Sequence, residues 1–179
     1  MSSRGKKAEP KAATPPSAKP AAESAPKAEP RPKTAGDGTL YIDATGHVAG
    51  RLSSIVAAEI IRGKRIVVLN AEKAVVSGNR DTIKDAWKQR LELGSKVNPM
   101  YGPLHPRRPD NIVWRMVRGM VPKEKARGTE GLKRLRVYMG VPEKYSGVTM
   151  SRFDKAMATR PLPVYTTIAE VSKAIGWNG

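Results

Sequence analysis

The sequence predicts an α/β domain behind a tail that lacks the residues to build a core. Three observations carry that expectation: a strand–helix–strand pattern over 39–70, further alternation of helical and extended patterns to the end, and an abrupt change of composition near residue 38. Strand, helix and strand within about 30 residues form a βαβ unit, whose two strands pair in parallel through a right-handed crossover.

Thr39–Asp43 (TLYID) is the first strand. Val48, Leu52, Ile55, Val56 and Ile60 then recur on one helical stripe, with Arg51, Glu59 and Arg62 off it and Gly63 as the stop. Arg65–Asn70 (RIVVLN) is a continuous apolar run, as in a strand covered on both faces. A short extended segment over 73–76 precedes the Ser77-Gly78 turn, and a second helix over 80–91 turns Ile83, Ala86, Trp87 and Leu91 inward.

Residues 94–110, rich in glycine and proline, read as a long loop of the kind that usually serves function. Asp110 is suited to cap a third helix that buries Ile112, Val113, Met116, Val117 and Met120, with Arg115 and Arg118 on the other side. A short helix over 129–135 and a strand over 136–139 follow, then an irregular stretch over 140–164. Thr167 and Glu170 form a capping-box pair for a last helix ending at Gly176.

Residues 1–38 hold 7 of the 15 prolines and no Val, Ile, Leu or aromatic residue. Such a segment cannot bury enough apolar area to offset its ordering entropy, so a disordered tail is expected. It is either a solubilising spacer or an arm that settles along phosphates. The domain is therefore 39–179, long enough for one core.

The 179 residues include 33 Lys+Arg against 16 Asp+Glu, a net charge of +17, with no cysteine and two histidines. Disulfides, zinc-thiolate sites and cysteine nucleophiles are excluded, and histidine chemistry is scarce. No apolar run approaches the roughly 18 residues that span a bilayer. A cytoplasmic chain with a polyanionic partner is expected, because phosphates relieve the self-repulsion of such an excess. Residues 96–136 carry 11 basic and 3 acidic groups, so 41 residues hold +8 of the total. Within them Arg107, Arg108, Arg115, Arg118, Lys123, Lys125, Arg127, Lys133, Arg134 and Arg136 alternate with apolar positions, and seven of these ten are arginines. Arginine's planar fork grips phosphate oxygens in pairs. Gly119, Gly128 and Gly131 are read as places where a backbone approaches a phosphate. With aromatics at 5%, a platform for stacking bases is poorly supplied, which favours shape-and-phosphate recognition of folded RNA.

Catalytic and cofactor signals are absent. Gly46-His47-Val48-Ala49-Gly50 lacks the dinucleotide-binding spacing, and Glu72 alone is weak support for a ribose site. His47 suits a local hydrogen bond at the helix entry. His105, beside Arg107 and Arg108, suits either RNA contact or a structural bond. No cofactor or metal is expected.

The run Asp43-Ala44-Thr45-Gly46-His47-Val48-Ala49-Gly50-Arg51-Leu52-Ser53-Ser54 resembles the opening of the ribosomal protein L thirteen family. So do Val67–Glu72, Ser77-Gly78, Gly102-Pro103, Arg107-Arg108-Pro109, Trp114, Arg118–Pro122, Arg127-Gly128 and Leu135–Pro142, in order along 39–179. The resemblance implies a three-layer α/β/α domain around a short, mostly parallel, Rossmann-like sheet. It also implies large-subunit rRNA and neighbouring large-subunit proteins as partners, a part in subunit assembly and translation, and no enzymatic activity. Gly140-Val141-Pro142 and Gly176-Trp177 resemble the archaeal and eukaryotic branch, and the short end after Trp177 points to an archaeon. By the resemblance Arg118 and Arg127 are the leading phosphate contacts. Arg51 either touches RNA or caps the sheet edge. Two features depart from the family: the Ala/Pro/Lys tail, and Gly131 where alanine is usual, which places that helix's stability in question. The alternatives are an extra-ribosomal RNA-binding translational regulator and a nucleotide-dependent RNA-modifying enzyme.

Overall fold

A computed structural model describes residues 38–159 and 164–179. The expectations for the tail up to residue 37, and for Pro161 and Pro163, lie outside the described residues.

The chain runs β1 (Thr39–Asp43), α1 (Ala49–Ile61), β2 (Arg65–Leu69), β3 (Val75–Ser77), α2 (Arg80–Glu92), α3 (Pro109–Met120), α4 (Ala126–Lys133), β4 (Leu135–Val137), β5 (Tyr165–Thr167) and α5 (Ile168–Ala174). The fold is α/β around a short parallel sheet in the order β1-β2-β4. Thr39 pairs with Arg65 and Asp43 with Leu69, while Ile66 pairs with Leu135 and Val68 with Val137. Ser151 adds a single parallel bridge beside Ile42. A separate antiparallel pair joins β3 to β5.

The expected helical stripe forms the core. Leu52, Val56 and Ile60 of α1 meet Leu40 and Ile42 of β1, Ile66 and Val68 of β2, and Ile112, Val113 and Val117 of α3, all at most 1% exposed. Removing each such side chain from water is worth about 1.5–3 kcal/mol. Period-2 alternation puts Tyr41, Val67 and Arg136 on the opposite face of the sheet, adjacent in register.

Several elements differ from expectation. Glu59 of α1 is buried rather than off the stripe, because Arg62 and Lys64 (Nζ–Oε2 2.6 Å) neutralise it. Burial alone would raise its pKa, but these two cations outweigh that and lower it. No residue of α2 is fully buried: Ile83, Trp87 and Leu91 are half-buried and Ala86 faces out. Met120 also faces out, in the last turn of α3.

Arg108 occupies the N-cap position of α3, with Pro109 at the first helical position, a site where proline loses no hydrogen bond. Asp110 therefore lies inside the first turn, where its carboxylate meets the positive helix end. The fourth helix starts at Ala126, three residues early. The preceding turn closes through Lys125 N donating to Pro122 O (3.3 Å), and Gly128 N then donates to Lys125 O (2.9 Å). The strand that follows is correspondingly 135–137. β5 has no counterpart in the sequence reading; three residues beside a proline-rich stretch carry too little pattern. The capping box is half made: Thr167 Oγ1 accepts from Glu170 N, while the Glu170 carboxylate pairs with Arg80 at 2.9 Å.

Gly128 and Gly131 are buried and serve packing within the chain. A Cβ at Gly128 would lie 1.9 Å from Pro122 O, and one at Gly131 would lie 2.6 Å from Ile60 Cγ2. They let α4 sit against the turn before it and against α1. A bare backbone at 131 is thus what this α4–α1 approach requires, which answers the question of its helix.

Candidate nucleic-acid interface

The motif-rich opening turn forms a closed hydrogen-bonded lock. Asp43, 5% exposed, ends β1; its Oδ1 accepts from Thr45 N (3.1 Å), Thr45 Oγ1 (2.7 Å) and Asn70 Nδ2 (2.9 Å). Its Oδ2 accepts from Arg152 Nε (3.2 Å) and Nη2 (2.8 Å). Asn70 reaches it from a left-handed backbone (φ 55°), a conformation that asparagine tolerates better than most residues. Burial would raise the Asp43 carboxyl, but the bonds from Thr45, Asn70 and Arg152 win and hold it well below the usual carboxylate range.

His47 is fully buried at the entry to α1, bonding locally as expected and also across the chain. Its Nδ1 donates to Thr45 O (3.1 Å) and its Nε2 accepts from Phe153 N (3.0 Å), which fixes the neutral tautomer. Burial, opposed by the Thr45 carbonyl and the Asp43 charge, lowers its pKa. Val48 N donates to Ala156 O and Ala158 N to Gly46 O, so the chain's own 151–158 segment closes over this turn. Glu72, the weak ribose candidate, accepts from Gly140 N at 3.0 Å.

The basic segment is arranged differently. A groove of about 450 Å³ lies between the loop before α3 and that helix; Leu104–Arg108 form one wall and Asn111, Trp114 and Arg115 the other. His105 Nε2 donates to Leu93 O (2.8 Å), and the Arg115 guanidinium donates to Leu104 O. These two bonds hold the loop against α3, so Arg115 builds the groove as well as charging it. Arg118 extends over the Trp114 ring, 5.8 Å from its centroid, a cation–π arrangement that keeps the guanidinium at the surface. Arg108 pairs with Asp110 (2.9 Å) and is half-exposed. The adjoining loop exposes Val97, Met100, Tyr101 and Leu104. Exposed apolar clusters of this kind mark surfaces that a partner covers.

Lys123 and Lys125 are exposed on the turn into α4, at the positive end of that helix, where its first turn has no acid. Arg127 Nε donates to Ile61 O (3.1 Å), a cation on the last carbonyls of α1 that ties α4 to α1. Arg134 lies 3.9 Å from Glu130. Lys133 and Arg136 are exposed around β4, and Arg51 is exposed in the first turn of α1. The groove thus gathers Arg107, Arg108 and Arg115, with Arg118 beside it. Lys133, Arg134 and Arg136 share a second basin over the sheet, and Arg51 lines neither. Sequence reasoning missed the residues that complete this second basin: Tyr41, read only as part of a core strand, and Lys144 and Tyr145, inside a stretch read as irregular. Their signals were the alternation of TLYID, which turns Tyr41 away from Leu40 and Ile42, and the Lys-Tyr pair.

Among the described residues no helix is long and apolar enough to cross a membrane, and no three His, Asp or Glu side chains cluster to hold a metal.

Comparison with known proteins shows the family. The sequence profile described as Ribosomal protein L13 matches residues 37–144. The large ribosomal subunit protein uL13 of Archaeoglobus fulgidus is 43% identical over 149 residues, covering 82% of this chain and 94% of that protein. That of Methanopyrus kandleri is 42% identical over 140 residues, covering 76% and 86%. The Caenorhabditis elegans protein of the same name is 39% identical over 141 residues, covering 78% and 70%. The profile spans β1 through β4, so Asp43, Thr45, Asn70, the groove and α4 lie inside it while Arg152 lies beyond it, and the chain belongs to the ribosomal protein L13 family.

Proposed function

We propose that the protein is a structural component of the large ribosomal subunit that binds folded rRNA through the α3 groove and the cations around α4, in the company of neighbouring ribosomal proteins. The observation that carries this reading is the groove, where a rigid loop and helix present arginines beside Trp114 and an exposed apolar loop. The cations that remain at the surface suit phosphate oxygens, which position a protein on RNA. Arg118, Arg107 and Arg108 are the leading phosphate contacts; Lys123, Lys125, Lys133, Arg134 and Arg136 extend the field, and Arg51 is an outlying contact. Arg115 and Arg127 act mainly by holding the scaffold. The role is one of binding: His47, His105, Asp43 and Glu72 are each engaged in bonds that hold the fold. The site of action is the ribosome in the cytoplasm.

The test is binding of the full chain to transcribed large-subunit rRNA across a salt series, with sedimentation of low-salt lysate. If six to ten phosphates are engaged, affinity falls by about 10³–10⁵ between 50 and 200 mM salt. A protein that sediments free of large subunits refutes the reading.

A further inference from the structure

The face of the parallel sheet turned away from α1 and α3 carries a chemistry of its own. Tyr41, Val67 and Arg136 lie side by side across β1, β2 and β4. Tyr145, from a short turn at Glu143–Tyr145, places its ring 5.5 Å from Tyr41 and 5.6 Å from Tyr138, at tilts of 52° and 49°. Three of the chain's five tyrosines therefore meet at one place, although aromatics make up 5% of the sequence. A low average concealed a local concentration.

A basin of about 510 Å³ opens over Tyr41 and Tyr145. Arg65, Lys133, Arg134, Arg136 and Lys144 line it, and among the described residues none of the lining is acidic. Lys144 Nζ stands 5.8 Å from the Tyr145 ring centroid, at the edge of the floor. Glu130 lies 3.9 Å from Arg134, and Glu143 is the sequence neighbour of Lys144. Lys133, Arg136 and Lys144 around an aromatic floor complement a polyanion that has planar faces. The chain's own tail, with 8 basic and 4 acidic residues over 1–38, has the wrong sign to fill it.

The basin lies near the α3 groove: Asn111 and Trp114 line both the groove and a smaller pocket of about 170 Å³, which Asp110 also lines, and Arg136 lines both that pocket and the basin.

Resting on the reading that this chain binds large-subunit rRNA, we propose that the sheet face is a second RNA contact. Phosphates meet Lys133, Arg136 and Lys144, and an unpaired nucleotide lies against Tyr41 and Tyr145. Aromatic platforms flanked by cations hold single strands in this way with little sequence demand.

Two measurements on the full chain test it. In the first, wild type and the variant Lys133→Ser/Arg136→Ser/Lys144→Ser bind transcribed large-subunit rRNA over 50–400 mM KCl. Three lost phosphate contacts lower the slope of log K against log salt by about 2–3, in the wild-type background and again on top of Arg107→Ser/Arg108→Ser/Arg118→Ser. In the second, ultraviolet crosslinking of wild-type protein in assembled large subunits, read by mass spectrometry, yields a nucleotide adduct on Tyr41 or Tyr145. An unchanged slope, adducts confined to residues 104–118, or a crosslink from Tyr145 to a protein neighbour overturns the proposal while leaving the α3 groove standing. Wild-type protein that fails to bind the rRNA at all removes the broader reading, and this one with it.

Discussion

The Asp43 lock and the α3 groove are both built from polar residues that the sequence displays openly, yet they use charge in opposite ways. In the lock the one anion is 5% exposed and surrounded by donors from Thr45, Asn70 and Arg152. Both carboxylate oxygens are taken up by these donors. In the groove the cations exceed the anions, and the guanidinium of Arg118 rests on a ring rather than on a carboxylate. A conspicuous motif is therefore no guide to where binding occurs; unspent charge is. The lock holds the fold, and the groove is where the proposed RNA contact lies.

Substitutions separate the two regions. The largest effect is expected at Asp43. Asp43→Asn keeps the shape but removes the buried charge that accepts from Thr45 and Asn70, with the mostly exposed Arg152 adding little, at a cost of about 3–4 kcal/mol in urea unfolding at pH 7. That loss should depend on pH. The carboxyl is held below its ordinary range in the fold and titrates near 3.9 when unfolded. Its contribution is therefore complete above about pH 5 and is lost as pH falls through the folded value. The gap between wild type and Asp43→Asn should narrow on acidification; a gap that stays constant down to pH 3 would assign the loss to geometry instead.

Gly128→Ala comes next. Its methyl group would meet the Pro122 carbonyl, backbone against backbone, so a loss of about 3 kcal/mol is expected from thermal unfolding. A neutral result would show that α4 can shift away from its turn. Arg118→Ala should leave unfolding within about 0.5 kcal/mol while reducing the RNA salt slope by about one unit. An unchanged slope with lowered stability would move Arg118 from the groove to the scaffold. The smallest change is Gly119→Ala. This exposed glycine in the last turn of α3 has nothing within 4 Å of a would-be Cβ, so about 0.4–1 kcal/mol of stabilisation is expected. Lost RNA affinity at unchanged stability would restore the expectation that its bare backbone meets a phosphate.

Much of the fold was legible because its signals are periodic and local. Leu52, Val56 and Ile60 repeat on one helical face, and RIVVLN is apolar throughout, so α1 and β2 fall where the pattern puts them. Short elements escape such reasoning: β5 exists because Tyr165–Thr167 finds β3, a pairing that no local pattern encodes. At the interface the sequence displays the cations, but what each one does depends on distant backbone. Arg127 cannot be seen from sequence to reach the carbonyl of Ile61, 66 residues away. Gly128 and Gly131 likewise looked like phosphate approaches until Pro122 and Ile60 were placed beside them.

The bond between Asp43 and Arg152 also imposes an order in time. It spans 109 residues, so the segment that closes over the opening turn is made well after that turn. At about 5–20 residues per second, some 5–20 seconds separate translation of the two partners. Through that interval the first strand and helix lack their clasp, while every cation of 96–136 has already been made. The nascent chain therefore carries the whole basic block of 96–136 before its opening turn is closed. Closure of the opening turn waits for residues 151–158.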